Sequence, residues 1–448
     1  MKKKRILALI ICGLMMFSLA ACGGDAGGST PPADPASAAP AEETGDSGDA
    51  GGDLNSDATI VVCAAQDWVK DWDRKLAEDF TAETGIKIDF QLNPNDQYAN
   101  IVKAKLASGE GVDVFFSNPG LSLSEYSPDK YAYDLSDQPW VSGYTDWARE
   151  SATYEGKVLL FSTGSMDGWG LLYNKEILDQ IGMEPATNYE ELVAICDAMM
   201  GIGVTPFFEP GADTWHACVW MLESGDWLNR KYGDMYEKLC EPEGKFEDYP
   251  EILTFTEQMN ELMEKGYFGK EEDWLSYSWD SRSEHMASGQ FGMMVAHMAA
   301  ATEIDREFPD AGAEDWPLTI IPLAGNETFS NSGGSMGRVL NKESKNIDEA
   351  LAYFEFLARP ENLQYGYDEG NNPNISFASV ELRPNTQYET LMASCNDVSG
   401  PDFTTKIPFY SADPIGRAYI EMWIGDTTPL ECVQQIDKDR ATMFDAIA

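Results

Sequence analysis

Ala58-Thr-Ile-Val-Val-Cys-Ala-Ala65 sets the class of fold that this chain can adopt. The segment is short, uncharged and rich in β-branched residues, which predicts a strand buried on both faces of a sheet. Helical spacing follows over 72–84, an alternating strand pattern over 86–92, helical spacing over 98–106 and an apolar strand over 112–116. Strand, helix, strand, helix and strand in this order predict a parallel sheet with right-handed crossovers, hence an α/β fold.

The carboxyl ends of parallel strands are where such sheets bind ligands. Asp67 and Trp68 follow the first predicted strand, and Ser117 and Asn118 follow the third. A carboxylate there can accept two hydrogen bonds, and an indole offers a flat face for stacking. We therefore expect these four residues to contact a ligand. The alternatives are a helix cap or a solvated side chain for Asp67, and core packing for Trp68.

The amino terminus has three parts. Residues 2–5 are basic, residues 6–17 form a short apolar run, and Leu-Ala-Ala then leads to Cys22. The apolar run is too short for a stable membrane span, so residues 1–21 are predicted to be a signal peptide. A cysteine at the cleavage point resembles the lipobox of bacterial lipoproteins. That resemblance implies that Cys22 carries the lipid and is the mature N-terminus.

A linker of small, polar and acidic residues follows up to residue 56, with Leu54 as its only large apolar side chain. Such a segment cannot bury enough apolar surface to offset its ordering entropy, so we expect residues 22–56 to be disordered. As a flexible coil, its reach is on the order of 30 Å. The linker would hold a globular domain at the outer face of the cell membrane, extracellular in a Gram-positive cell and periplasmic otherwise.

The composition excludes some partners and favours others. The formal net charge is −45, from 76 acidic against 31 basic residues. Such a field repels nucleic acid and anionic lipid, so we expect no nucleic-acid partner and a membrane contact through the lipid alone. The globular part, 57–448, is too long for one compact core, which predicts two lobes. The 12 Trp and 19 Tyr suit stacking on sugar rings, although core packing is their ordinary role.

The cysteines and histidines give no sign of a metal or cofactor. Six cysteines are left once Cys12 is removed and Cys22 is lipidated; these are Cys63, Cys196, Cys218, Cys240, Cys395 and Cys432. Six allow fifteen disulfide pairings, but buried free thiols are the reading we favour. The three histidines, at 216, 285 and 297, lack zinc-ligand spacing.

One motif of an enzyme is present but incomplete. Gly333-Gly-Ser-Met-Gly337 matches the G-x-S-x-G nucleophile elbow, in which the acid and the histidine follow the serine. No histidine follows Ser335, so this catalytic site is excluded. The 76 acidic residues are enough to supply the paired carboxylates of a glycoside hydrolase, so this alternative stays open.

Several motifs in register identify a family. The most specific block joins Glu155-Gly-Lys-Val158, Gly170-Leu-Leu-Tyr-Asn-Lys-Glu176 and Asn188-Tyr-Glu-Glu-Leu192. The other matches are Thr84-Gly-Ile-Lys-Ile88, Ala287-Ser-Gly-Gln-Phe-Gly-Met-Met294, Ser344-Lys-Asn-Ile-Asp-Glu-Ala350 and Gly425-Asp-Thr-Thr-Pro-Leu-Glu431. Together they resemble the extracellular solute-binding proteins of family 1, the carbohydrate-receptor lipoproteins of ABC importers. The family's usual Thr-Trp before Glu-Glu-Leu is altered here to Asn-Tyr.

The resemblance implies a two-lobe periplasmic-binding-protein-like fold, with a hinge between the lobes and the ligand cleft at their interface. By position, the first lobe would comprise 57–164 plus 302–374, and the second 165–301 plus 375–448. The segment 316–322 would be a strand that re-enters the first lobe.

The resemblance also implies ligand contacts near the hinge and in the second lobe. The candidates, several of which have core packing as their alternative, are Asp167, Trp169, Trp215, Trp279, Asp280, His297, Met298 and Gly334. Asp167 is placed where relatives carry a ligand-binding acid, and Trp215 where the second lobe offers an aromatic ring. Gly334 would approach the ligand with backbone amides, or simply form a turn.

What the resemblance implies for function is binding without catalysis. The chain would be a monomeric receptor that captures a sugar or oligosaccharide and delivers it to the membrane permease of an ABC importer, with no cofactor. Two alternatives stay open. One is the same fold for a polyamine, peptide or other small solute, because an acidic field suits a cation. The other is an exported glycoside hydrolase.

Overall fold

Two four-stranded sheets organise the computed structural model of the chain. The structure describes residues 54–66, 68–95, 97–109, 111–164, 168–331, 336–370, 375–410 and 412–445. The first five elements are β1 (Thr59–Ala65), α1 (Asp71–Thr84), β2 (Lys87–Asn93), α2 (Tyr98–Ser108) and β3 (Val114–Ser117). They confirm the predicted strand–helix order. Next come α3 (Pro128–Tyr131), α4 (Asp146–Ser151), β4 (Thr153–Tyr154) and β5 (Lys157–Val158), with 3-10 helices at Gly120–Tyr126 and Pro139–Gly143.

The middle of the chain is mostly helical. Its elements are β6 (Trp169–Tyr173), α5 (Lys175–Ile181), α6 (Tyr189–Gly201), β7 (Thr205–Phe207), α7 (His216–Leu222), α8 (Gly225–Tyr232), α9 (Met235–Leu239), α10 (Pro250–Glu264), α11 (Glu271–Trp274), α12 (Arg282–Ala287), β8 (Phe291–His297), α13 (Ala300–Glu307) and β9 (Leu318–Thr319). Short 3-10 helices lie at Phe246–Asp248, Trp279–Ser281 and Ala313–Asp315. Asn174 and Asn188 cap α5 and α6 with their side-chain oxygens, which explains the Asn before each helix in the sequence motifs.

The last third of the chain returns to the first sheet and then leaves it. Its elements are β10 (Phe329–Asn331), β11 (Gly337–Leu340), α14 (Ile347–Leu357), α15 (Pro360–Gly370), α16 (Thr386–Ser394), β12 (Ser399–Pro401), α17 (Phe403–Lys406), α18 (Ala412–Trp423) and α19 (Pro429–Asp445). No helix in the described ranges combines the length and the apolar character needed to cross a membrane.

The first sheet has the order β11-β3-β1-β2. β1 is parallel to both β2 and β3, with Ile60 opposite Ile88 and Val62 opposite Val114. Four of its last five residues are fully buried, as its uncharged sequence predicts. β11 closes the other edge antiparallel to β3. The parallel sheet predicted from the first segments is confirmed.

The second sheet has the order β7-β8-β6-β9, and β8 is a buried central strand. β9 pairs antiparallel with β6, with Leu171 opposite Thr319, and the Pro317 carbonyl accepts a hydrogen bond from Tyr173 N. The predicted re-entry of 316–322 into the first lobe is therefore wrong, because this short strand completes the free edge of β6. The chain re-enters the first sheet later, at β11.

The hydrophobic cores follow the two sheets. One core draws its buried side chains from 58–161 and 339–380, around the first sheet. Two further cores lie on either face of the second sheet, because Leu171 and Leu172 point to opposite sides. We call the two regions the first lobe and the second lobe. Ile304 packs in the second lobe and Phe377 in the first. Both lobe boundaries therefore lie at later residues than the predicted 302 and 374.

The described ends of two connections between the lobes pair antiparallel. Phe161 exchanges backbone hydrogen bonds with Arg338, and Gly168 bridges Asn331. A Cβ on Gly168 would lie 2.2 Å from the Phe329 ring, so only glycine allows this close approach. The crossing is thus held by backbone pairing at both ends.

Arg338 anchors the crossing in the first lobe. Its side chain is 2% exposed and forms an ion pair with Asp73 of α1, which is equally buried. The guanidinium also donates to Thr163 Oγ1 at 3.2 Å and lies 4.9 Å from the centre of the Phe116 ring. One side chain therefore connects α1, β3, β11 and the first crossing segment.

The cysteines agree with the expectation of free thiols. All six in the described part of the chain are unpaired, and five are buried. Burial raises the pKa of Cys432 to about 12, so this thiol is protonated at neutral pH.

The Arg338–Asp73 pair gives a test of the fold. We expect Arg338→Met to lower the free energy of unfolding by about 3–5 kcal/mol, because Asp73 is left buried without its counter-ion. Denaturation in urea measures the change. The matched control is Arg359→Met, which removes an exposed ion pair with Glu83 and should cost far less. Equal effects of the two substitutions would contradict this role of Arg338.

Candidate functional site

Three tryptophans and two histidines meet at one edge of the second sheet. Trp169 is the first residue of β6 and pairs with His297, the last residue of β8. Trp215 directly precedes α7, and Trp279 opens the 3-10 helix before α12. His216 is the first residue of α7. This edge holds the carboxyl ends of the parallel strands β7 and β8, the place where sheets of this kind bind ligands.

The three indoles, which we call the tryptophan cluster, contact one another directly. The ring centres of Trp169 and Trp215 are 5.9 Å apart, and Trp279 lies 5.5 Å from each. The planes cross at 60–68°, the edge-to-face arrangement that aromatic quadrupoles favour. Trp169 and Trp215 are half-buried and Trp279 is 8% exposed, so the cluster presents aromatic surface to the solvent.

A polar group in the cluster lacks a partner. The Nε1 atom of Trp215 is buried and makes no hydrogen bond among the described residues. An unpaired buried donor costs free energy, and a ligand oxygen that reached it would recover that cost. The cluster therefore combines flat apolar faces with a buried, unpaired donor.

Charged side chains flank the tryptophan cluster on one side. The Arg282 guanidinium lies 4.4 Å from the centre of the Trp279 ring and donates to its carbonyl oxygen at 3.0 Å. Arg282 also forms an ion pair with Glu303 of α13, and His297 Nε2 is 3.3 Å from the same carboxylate. From the first lobe, Lys70 Nζ approaches Glu303 Oε1 to 3.6 Å.

Glu303 is the common partner of these basic side chains, and they influence the pKa of its carboxyl group. Burial opposes the charged form, but His297, Arg282 and Lys70 together hold the pKa of Glu303 well below its ordinary value of 4.5. The carboxylate is ionised at neutral pH. It therefore links the second-lobe side of the site to the first lobe through Lys70.

The first-lobe candidates lie at the ends of β1 and β3. Trp68 packs edge-on against Tyr98, with ring centres 4.6 Å apart, and lies 6.3 Å from Phe116. The Tyr98 hydroxyl donates to the Phe116 carbonyl at 2.8 Å and fixes the end of β3. Ser117 is buried, and its hydroxyl donates to the carbonyl of the exposed Asn118. Trp68 thus packs with first-lobe rings and makes no ring contact with the tryptophan cluster in the described ranges.

The structure brings together only some of the candidate residues. It joins Trp169, Trp215, Trp279 and His297, and it leaves Asp280 exposed beside Trp279. Met298 is 1% exposed within a second-lobe core, which favours a packing role for this candidate over contact with a ligand. The remaining candidates, Asp67, Asp167, Gly334 and the lipidation candidate Cys22, lie outside the described residues.

The sequence analysis did not identify four charged or titratable residues around the tryptophan cluster as part of a ligand site. These are Glu209, His216, Arg282 and Glu303. His216 and Trp220 share one helix face at i, i+4 spacing, and both contact Glu209, which is a usable signal for a buried polar network. Arg282 and Glu303 are 21 residues apart on different helices, and nothing in their spacing indicates that they meet.

The described part of the chain shows no metal-binding cluster, and one of its surface cavities lies away from the candidate ligand residues. It contains no group of three or more His, Cys, Asp or Glu side chains that would hold a metal ion. A surface cavity of about 390 Å³ lies in the first lobe, lined by residues that include Tyr133, Tyr154 and Lys157. None of the candidate ligand residues lines it.

Comparison with known proteins connects this arrangement to a family. The sequence profile of the family described as bacterial extracellular solute-binding protein matches residues 66–364, more than half of the chain. The chain is 26% identical over 463 residues to the diacetylchitobiose binding protein DasA of Streptomyces coelicolor. That alignment covers 98% of this chain and 97% of the relative.

Solved structures share the fold. A chitin oligosaccharide binding protein superposes with a TM-score of 0.71 at 16% identity, covering 86% of this chain and 98% of that one. A sugar transporter protein of Bacillus licheniformis in complex with stachyose superposes with a TM-score of 0.68 at 21% identity, covering 86% of this chain and all of that one. At these identities, the likeness shows the two-lobe solute-binding fold.

The charge cluster at Glu303 gives a pH-dependent test. The pKa of Glu303 is lower in the folded protein than its ordinary value of 4.5. Ionised Glu303 therefore stabilises the fold fully above pH 4.5, and this stabilisation is lost as the pH falls through the folded pKa. We expect Glu303→Gln to lower the free energy of unfolding by about 2 kcal/mol at pH 7, and by less at acid pH. Urea denaturation at both pH values measures this.

The control for that experiment is Glu83→Gln, which removes an exposed carboxylate. Its effect should be small at both pH values. A Glu303→Gln deficit that stays constant as the pH falls through this range would contradict the assignment of the lowered pKa to Glu303.

Proposed function

Because the chain belongs to the bacterial extracellular solute-binding protein family, we propose that it is the lipid-anchored receptor of an ABC importer for an oligosaccharide. The observation that carries the choice of ligand is the tryptophan cluster of Trp169, Trp215 and Trp279 at the carboxyl-end edge of the second sheet. Pyranose rings have apolar faces of C–H groups that stack on indoles, and their hydroxyls need a few well-placed polar partners.

The polar groups around the tryptophan cluster support the same ligand class. The unpaired Trp215 N–H can donate to a hydroxyl, and the exposed Asp280 carboxylate can accept from one. On the first lobe, Trp68 and Asn118 lie at the strand ends that would face the ligand. Two similar proteins are named for diacetylchitobiose and chitin oligosaccharides, and a third was solved in complex with stachyose. A short oligosaccharide is therefore the ligand class we propose.

The mechanism we propose is capture followed by closure of the lobes. The two antiparallel crossing segments form the hinge, and ligand bridges the second-lobe indoles and the first-lobe strand ends. The Lys70–Glu303 approach shows charged groups that meet across the two lobes beside the tryptophan cluster. The closed, loaded receptor then presents its surface to the permease, working as a monomer tethered through Cys22.

The direct test is a thermal-shift screen of residues 57–448, the part after the linker. Ligands that bind only the folded state raise the melting temperature by mass action. The panel contains N,N′-diacetylchitobiose, longer chitin oligosaccharides, stachyose, spermidine and short peptides. A shift with one oligosaccharide series supports the proposal, whereas shifts only with spermidine or peptides would replace the sugar by another solute. Turnover of a chromogenic glycoside would favour the hydrolase.

Substitution of the indoles tests the site itself. We expect Trp169→Ala, Trp215→Ala and Trp279→Ala each to weaken binding of the best oligosaccharide by about tenfold or more, which is about 1.4 kcal/mol. Calorimetric titration measures the affinity. The control is Trp227→Ala, which removes a half-buried indole that lies beneath Lys231 and outside the tryptophan cluster. Unchanged affinity in all three cluster variants would exclude this surface as the ligand site.

The tether is tested separately. We expect Cys22→Ser to move the protein from the membrane fraction to the soluble fraction and to abolish labelling with radioactive palmitate, because the acylated thiol is lost. The control is Cys240→Ser, which removes a partly exposed thiol of the folded domain and should leave both readouts unchanged. Membrane association of Cys22→Ser at the wild-type level would overturn the lipid anchor.

A further inference from the structure

A buried ion pair lies against the tryptophan cluster. The side chains of His216 and Glu209 are fully buried, and His216 Nδ1 is 2.7 Å from Glu209 Oε1. The other carboxylate oxygen accepts a hydrogen bond from Trp220 Nε1 at 3.0 Å. Both oxygens of Glu209 therefore have partners, and one of them is the imidazole.

The second ring nitrogen of His216 also faces an acceptor. Nε2 is 3.0 Å from the carbonyl oxygen of Val295 on β8. The segment after β7 does not supply a backbone donor to this carbonyl. Phe208 N donates to Met293 O, but the residue two positions later is Pro210, which has no backbone N–H. His216 takes the place of the missing strand donor.

The hydrogen-bond partners restrict the protons on the ring. A carbonyl oxygen only accepts, so Nε2 carries a proton. Glu209 already accepts from Trp220, and an ionised carboxylate accepts equally from Nδ1–H. Two states satisfy every group: an imidazolium with an ionised Glu209, or a neutral imidazole whose Nδ1 accepts from a protonated Glu209. In the first state neither charge is left alone in the interior, and a carboxyl group is ordinarily a stronger acid than an imidazolium.

The imidazole ring contacts all three indoles of the site. Its centre is 5.2 Å from Trp279, with planes only 30° apart, 5.5 Å from Trp215 and 5.8 Å from Trp169. The last two contacts are edge-to-face. A cation against the negative face of an indole is attracted to it, so the charge holds Trp279 in a defined orientation. No other ring in the described ranges that has fixed polar partners touches all three.

We propose that His216 is a positioning residue: its imidazolium, held by Glu209 and the Val295 carbonyl, sets the orientations of Trp169, Trp215 and Trp279. This inference rests on the proposed function in one respect, that these indoles contact the ligand. The packing of the tryptophan cluster in the free protein depends on the ion pair whatever the ligand is. The ion pair is fully buried, whereas Trp169 and Trp215 are only half-buried and keep part of their surface exposed.

Two variants separate positioning from mere stability. His216→Phe keeps an aromatic ring but leaves Glu209 as an unpaired buried charge, which endangers folding. The double variant Glu209→Gln with His216→Phe removes both charges together and keeps an acceptor oxygen for Trp220 Nε1, so the fold is expected to survive. The matched control is His285→Phe, because His285 also packs among aromatic rings, those of Phe208 and Tyr277, but outside the tryptophan cluster.

The first readouts use the free protein. At pH 7, nitrogen-15 spectra of histidine-labelled protein should show a histidine with both ring nitrogens protonated whose signal disappears in the double variant and remains in His285→Phe. A His216 ring with a single protonated nitrogen would overturn the proposal. In the near-ultraviolet circular dichroism spectrum, the tryptophan bands should change in the double variant and stay unchanged in His285→Phe. Unchanged bands in a folded double variant would also overturn it.

The second readout is affinity for whichever of N,N′-diacetylchitobiose or stachyose raises the melting temperature of the wild type more. We expect the double variant to bind this sugar at least tenfold more weakly while its cooperative unfolding is kept, and His285→Phe to bind as the wild type does. Wild-type affinity in the double variant would contradict the positioning role. If neither sugar binds the wild type, that result bears on the proposed ligand class, and the spectra of the free protein still decide the role of His216.

Discussion

The backbone pairing of Phe161 with Arg338, together with the buried ion pair between Arg338 and Asp73, holds the crossing between the two lobes in register. A buried ion pair adds little net stability, but its geometry is demanding, because either charge alone would be costly in the interior. The pair therefore permits one arrangement of α1, β11 and the first crossing segment. At the other end, the bare Cα of Gly168 lets the second crossing approach Phe329.

The crossing also positions the edge of the second sheet that carries the tryptophan cluster. β6 begins right after the crossing, so Trp169 stands at the strand's first position and opposite His297. The loops that follow β7 and precede α12 then bring Trp215 and Trp279 to the same edge. Beneath them lies the His216–Glu209 pair, and beside them the Glu303 charge cluster reaches Lys70 of the first lobe. The tryptophan cluster is thus supported from below and bordered by charge.

Much of this architecture could be predicted because it rests on local patterns. The buried run of β1, the alternating β2 and the capped helices α5 and α6 carry their signal in consecutive residues. β9 could not be assigned to its sheet, because the sequence of a two-residue strand does not indicate which strand it pairs with. The individual tryptophans could be named from strand ends and family resemblance, but their convergence depends on the β6–β8 register.

The charged partners of the site were harder to predict than its aromatic rings. Arg282 contacts Glu303 only because α12 and α13 pack together. The acceptor that faces His216 Nε2 is a carbonyl 79 residues away in the sequence. Such contacts are set by tertiary packing, and one sequence holds no spacing that reports them. These buried polar groups distinguish the site from a simple aromatic patch. The indoles supply apolar area for a ligand, and the polar groups orient the indoles.

The most direct test of the central claim is a crystal structure of the protein with the oligosaccharide that stabilises it most. The account predicts a sugar ring stacked on an indole of the tryptophan cluster, with Trp68 or Asn118 of the first lobe contacting the same ligand. A sugar bound elsewhere, with Trp169, Trp215 and Trp279 left unliganded, would contradict the account.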